Sequence, residues 1–198
     1  MTPMVREPLP EMGPSVPRRG WSIGRALGRS VMWVAGWSFE GSIPDLAKAV
    51  MIVAPHTSNW DFVIGAAGML ALDLDLRFLG KHTLFKGPMG VLMRGLGGIP
   101  LDRARSSGVV DEMAARIKSS DHLLLAIAPE GTRGKVKRWK TGFHGIARGA
   151  EVPILAITLD YGRRQIRFRE PFTPSSDVEA DVEELQEFFA GARGRRKS

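Results

Sequence analysis

The sequence predicts an α/β domain, a mainly parallel mixed sheet covered by helices on both faces, and three observations point there. Short apolar runs alternate along the chain with segments of helical period. Runs such as Val50–Ala54 and Leu123–Ala128 are apolar almost throughout, which suits strands buried on both sides. The 198 residues, 43% hydrophobic and 25% charged, are enough for one folded domain with an ordinary core.

Residues 1–20 carry five prolines and no periodicity, so they are expected to form a flexible arm. Trp21 to Trp37 has helical period, with Ile23, Leu27, Val31 and Val34 on one stripe and Trp33 and Trp37 beside it. Arg18, Arg19, Arg25 and Arg29 lie at its start and on its polar side. Tryptophans, aliphatics and arginines on one short helix suit a bilayer interface; a helix packed on the protein's own core is the alternative.

Val50–Ala54 then reads as a strand, Trp60–Leu72 as a helix and Leu76–Gly80 as a second strand. A helical turn follows around Pro88–Leu96, and Val109–Ser119 is a helix. Leu123–Ala128 is the third strand, Phe143–Arg148 a short helix and Ile154–Leu159 the fourth strand. Gln165–Arg169 is expected to run antiparallel, and Val178–Phe189 closes as an acidic helix. The chain shows no internal repeat.

Composition narrows the chemistry. Cysteine is absent, which removes disulfides and thiolate nucleophiles and fits a reducing cytoplasm. The net charge is +7, with six acids crowded into 177–187 and bases dominating elsewhere, which suits an anionic partner: nucleic acid, anionic lipid or a phosphorylated substrate. No stretch reaches the roughly 18 to 20 apolar residues of a spanning helix. The proline-rich start with Glu7 and Glu11 does not read as a signal peptide, so a peripheral position on the cytoplasmic side of the membrane is expected.

In a parallel sheet, chemistry gathers in loops beyond the strands' carboxyl ends, and three segments sit there. The first is His56-Thr57-Ser58-Asn59-Trp60-Asp61. Ser58 or Asn59 can cap the next helix, which puts His56 in a loop and Asp61 in the first helical turn. Across that turn a carboxylate can reach one imidazole nitrogen, fix the tautomer and leave the other nitrogen to act as base. Taken alone, H-x4-D also fits a capped loop with an incidental histidine. Ser58 reads as a cap, His122 and His144 as structural, and His82 as a weaker candidate to line the cleft.

The second segment is Gly98-Ile99-Pro100-Leu101-Asp102-Arg103, where Arg103 offers a planar fork for phosphate or a surface salt bridge. The third is Pro129-Glu130-Gly131-Thr132-Arg133, which sets donors for an anion at the end of the most apolar strand. Five cations surround Trp139 in the run Arg133–Lys140. That run suits anionic headgroups or the phosphates of coenzyme A, and it lacks the spaced aromatics of a nucleic-acid platform.

The four blocks H-x4-D, G-G-I-P-L-D-R, P-E-G-T-R and Val152-Pro153-Ile154-Leu155, in this order, resemble the glycerolipid acyltransferase family over roughly residues 50–160. Its best-known members are the 1-acylglycerol-3-phosphate acyltransferases. The resemblance implies the glycerophosphate acyltransferase-like fold and one acyltransferase domain over 21–198, with its catalytic core in 50–160 and an interfacial helix at 21–37. It implies transfer of a fatty acyl group from acyl-CoA or acyl carrier protein to the hydroxyl of a lysophospholipid, without metal, cofactor or acyl-enzyme. By the same resemblance His56 is the base and Asp61 orients it, while Arg103, Glu130, Gly131, Thr132 and Arg133 hold the acceptor and its phosphate. The implied partners are the lysophospholipid, the acyl donor and an anionic membrane surface, and no nucleic acid. A non-catalytic membrane-binding protein on the same fold and a thioesterase-like hydrolase are the alternatives; the paired arginines argue against the second. Two departures stand out: Ala128 replaces the family's common phenylalanine, and one interfacial helix stands where the family has a membrane anchor or helical pair.

Overall fold

The structure, a computed structural model, describes residues 9–101, 108–132 and 138–196. Its strands are β1 (Ser38–Glu40), β2 (Lys48–Ala54), β3 (Leu76–Lys81), β4 (Gly98–Leu101), β5 (Leu123–Ile127), β6 (Ile154–Asp160) and β7 (Gln165–Phe168). The helices are α1 (Ser22–Ala35), α2 (Asn59–Ala71), α3 (Gly87–Gly95), α4 (Val109–Ser119), α5 (Gly142–Ala150) and α6 (Val178–Phe189).

The strands form one sheet in the order β1-β7-β6-β2-β5-β3-β4. From β6 to β4 every neighbour is parallel; β7 runs against β6, and β1 runs with β7. This is the mainly parallel mixed sheet that the alternation of runs predicts, with the reversed strand at Gln165 where expected.

Period-two alternation divides the core between the two faces. Ala49 and Met51 of β2 join Leu124, Leu155 and Ile157 beneath α1, α2 and α3. Val50 and Ile52 join Leu125, Ile154 and Ala156 beneath α4, α5 and α6. Two strands escape the sequence reading. β1 has only three residues, and β4 falls inside the glycine-rich second segment. Pro100 is tolerated there because β4 lies at the sheet's edge, where its missing N–H interrupts no interior ladder.

The stretch expected to be a flexible arm is corrected over its described part. Residues 9–20 run along the domain, with Val16 buried, Met12 bridged to Ile43 and Arg18 to Leu74. The Arg19 guanidinium donates to the carbonyls of Leu74 at 3.0 Å, Gly95 at 2.8 Å and Leu96 at 2.6 Å, tying this strap to the end of α3. Such contacts use backbone and one arginine fork, which leave no hydrophobic period to read.

α1 meets α2 through Gly28, where an added Cβ would lie 2.4 Å from Ala71 N and 2.6 Å from Ala67 O. Gly24, Gly28 and Met32 therefore form its buried face. Ile23, Leu27 and Val34 of the expected stripe point outward at 73%, 56% and 77% exposure, with Trp21 and Trp33 half-exposed. Trp37 is corrected: it is buried in the core, edge-on to Tyr161 at 4.9 Å. Among the described residues no helix is long and apolar enough to cross a membrane.

Candidate active site

β6, β2 and β5 are adjacent and parallel, so their carboxyl ends at Asp160, Ala54 and Ile127 share one edge. The loops after these strands meet there. They bring His56, Glu130 and Tyr161 together from three distant parts of the sequence.

Ser58 caps α2, accepting from Trp60 N at 3.3 Å. Asp61 answers in the third helical position: its Oδ2 accepts from Ser58 N and from Thr57 N, both at 2.6 Å. This reciprocal cap folds the carboxylate back over the loop. As a result His56 Nδ1 lies 3.5 Å from Asp61 Oδ2, with the histidine side chain 24% exposed and the aspartate's fully buried. The imidazole thus has a buried carboxylate behind one nitrogen and a face toward solvent. The sequence expectation that His56 and Asp61 meet across a turn agrees with this geometry.

Glu130 joins them in a way the sequence does not suggest. Its Oε2 accepts the backbone N–H of His56 at 2.7 Å, which pins the loop from the β5 side. Burial, with a smaller contribution from Asp61, pushes the Glu130 carboxyl up to about 7 against the lowering effect of that hydrogen bond. Gly131 takes a φ of +64° at the turn after β5, with the Lys140 side chain folded over it, and Thr132 is exposed. Arg103 and Arg133 lie outside the described residues. Trp139 of the basic run packs on Phe189 at 5.3 Å and Phe143 at 6.3 Å, so its indole anchors the loop to α6 and α5.

The backbone N–H groups at the start of α2 are largely engaged already, which limits them as donors to an oxyanion. The amides of Thr57, Ser58 and Trp60 are occupied by the helix's own cap. Of the other histidines, His144 is buried and bonds Asp181 at 2.7 Å, while His82 and His122 are exposed. Among the described residues no group of His, Cys, Asp or Glu is placed to hold a metal ion.

Two participants are absent from the sequence reading. Tyr161 follows β6, and its hydroxyl is shut off from solvent close to the Asp61 carboxylate. Burial first, then the carboxylate, raises the phenol above its usual range, with Arg195 pulling the other way. The second is the segment after α6, where the Arg195 guanidinium sits 4.6 Å above the Trp60 ring. The position of the chain's single tyrosine, directly beyond a strand end, is the signal that could have flagged it.

Comparison with known proteins gives three findings. The family model described as Acyltransferase matches residues 39–160. Human 1-acyl-sn-glycerol-3-phosphate acyltransferase beta is 29% identical over 172 residues, which cover 82% of this chain; the chain spans 59% of that protein's length. The crystal structure of the 1-acyl-sn-glycerophosphate (LPA) acyltransferase PlsC from Thermotoga maritima superposes with a TM-score of 0.59 at 22% identity, covering 89% of this chain and 80% of that one. The last match concerns the fold, and it agrees with the mixed parallel sheet described above.

Proposed function

Since the chain belongs to the acyltransferase family, we propose that it moves a fatty acyl group from a thioester of coenzyme A or acyl carrier protein to the hydroxyl of a lysophospholipid, with 1-acylglycerol-3-phosphate as the first acceptor to test. The observation that carries this reading is the partly exposed His56 ring, 3.5 Å from the fully buried carboxylate of Asp61 at the sheet's carboxyl edge. With Nδ1 turned to Asp61, Nε2 is the nitrogen that takes the acceptor's proton. The acceptor oxygen attacks the thioester carbonyl, the C–S bond breaks as the tetrahedral intermediate collapses, and the imidazolium returns its proton to the thiolate. This sequence needs no acyl-enzyme, metal or other cofactor.

The resemblance assigns Arg103, Glu130, Gly131, Thr132 and Arg133 to the acceptor and its phosphate, and Glu130 also fixes the His56 backbone. A pocket at the ends of β3 and β4 has one polar residue, Glu112, and an apolar side made by Leu79, Ile99, Leu101, Val109 and Met113 that suits an acyl chain. The outward side chains of α1, Ile23, Leu27 and Val34 with Trp21 and Trp33, suit docking on an anionic membrane surface, and the +7 charge favours it.

The test is incubation of the purified protein with a panel of lysolipids and acyl thioesters, followed by lipid extraction and mass spectrometry beside a thiol-release assay. A new ester matched by released thiol is the expected result. Thiol release without any ester would make the protein a hydrolase. Liposome binding with no thiol release would make it a non-catalytic membrane protein.

A further inference from the structure

Residues 190–196, which follow α6, return across the candidate active site. Tyr161 N donates to Arg193 O at 2.8 Å, and Arg193 N donates to Asp160 Oδ1 at 3.3 Å, which fastens the segment to the end of β6. Gly194 then presses on Thr57 so closely that an added Cβ would lie 2.6 Å from Thr57 Cγ2. Arg196 N donates to Thr57 Oγ1 at 3.3 Å, and Arg195 covers Trp60, the residue before Asp61. Four residues thus bridge the end of β6 and the loop between β2 and α2, and they touch that loop on both sides of the Ser58 cap. Thr57 and Ser58 supply the amides that hold the Asp61 carboxylate, so any shift of Thr57 moves the group behind His56.

We propose that residues 193–196 are a clasp that positions the His56–Asp61 loop for turnover, with Gly194 and Arg195 as positioning residues. The kinetic arm of this inference rests on the acyl-transfer reading above. The geometric arm does not. A clasp of this kind acts through the geometry of the reacting groups, so its loss should appear in kcat; a contact with substrate would appear in KM.

Two variants test it, Gly194→Ala, which forces the clasp off Thr57, and Arg195→Ala, which uncovers Trp60, with Arg195→Lys as the conservative control. Both alanine variants should lose about ten- to a hundredfold in kcat with KM for either substrate close to the parent's, because misplacement of about 1 Å costs on that scale. Arg195→Lys, which keeps a cation over the indole, should recover most of the loss. The second readout is amide hydrogen exchange at Thr57 and Ser58 without substrates, expected to quicken in both alanine variants while the melting temperature stays near the parent's. An unchanged kcat, or a loss carried wholly by KM for the phosphorylated acceptor, overturns the proposal. If the parent transfers no acyl group, the functional reading fails by itself, and unchanged exchange at Thr57 and Ser58 is then the result that overturns the clasp.

Discussion

Glu130 Oε2 accepts the backbone N–H of His56 at 2.7 Å, so a side chain from the loop after β5 holds the imidazole by its main chain. The bond joins two sequence blocks that lie 74 residues apart. It also places a carboxyl group that burial pushes toward its protonated form beside one that is buried and capped.

The pH dependence of stability should show this directly. Glu130 is raised from 4.5 to about 7, so its contribution to stability is full below pH 4.5 and is lost as pH rises to about 7, where the folded protein ionises a partly buried group. Glu130→Gln keeps an acceptor for His56 N and removes the titration. Thermal melts from pH 4 to 8 should therefore fall less steeply for the variant than for the parent; parallel curves would place the carboxyl's titration elsewhere.

Removing the base should separate activity from folding. His56→Ala takes away a partly exposed ring and should abolish acyl transfer with little change in melting temperature, since general-base contributions alone reach about 10²–10⁴-fold. Asp61→Ala should abolish transfer and also cost about 1 kcal/mol or more of stability, because Thr57 N and Ser58 N lose their acceptor. Steady-state kinetics beside urea unfolding would distinguish the two patterns.

His144 and Asp181 form a second buried pair, remote in role from the first. Burial pushes the Asp181 carboxyl up, but the His144 ring and the backbone and hydroxyl of Ser175 together hold it below its usual value. A depressed carboxylate stabilises the fold above its unfolded pKa, and that support is lost as pH falls through its folded value. His144→Ala should cost about 3 kcal/mol at neutral pH and loosen α6, read by denaturant unfolding and by faster amide exchange in Val178–Phe189.

The outward face of α1 should govern membrane association. Replacing Ile23, Leu27 and Val34 together by serine removes apolar side chains that are each more than half exposed, so the fold should keep its stability. Sedimentation with anionic vesicles should drop by at least about tenfold, given about 0.8 kcal/mol for each buried methylene lost. Undiminished sedimentation would assign membrane contact to another surface.

The sheet and its site were legible to different depths, for physical reasons. Strands such as Leu123–Ile127 announce themselves because burial on both faces demands an unbroken apolar run. His56 and Asp61 could be paired because a serine cap three residues before an aspartate has a local geometry of its own. β4 was hidden because an edge strand tolerates the glycine and proline that elsewhere mark a loop. Residues 9–20, Tyr161 and Arg195 work through single long-range contacts, and neither a bond from Arg19 to Gly95 O nor a guanidinium on Trp60 leaves a period in the sequence. Glu130 stands in the third segment, but its partner is a backbone amide, which no side-chain pattern encodes.

The close seat of Gly28 on Ala67 and Ala71 has a consequence for orientation. α2 carries Asp61 in its first turn and that seat at its far end, so the two are separated by one rigid rod about 15 Å long at 1.5 Å per residue. Whatever surface the outer side of α1 rests upon, the imidazole stands at a set height and angle above it. An acceptor would then have to meet the imidazole at that fixed position, and a bulkier residue at position 28 would push α1 away from α2.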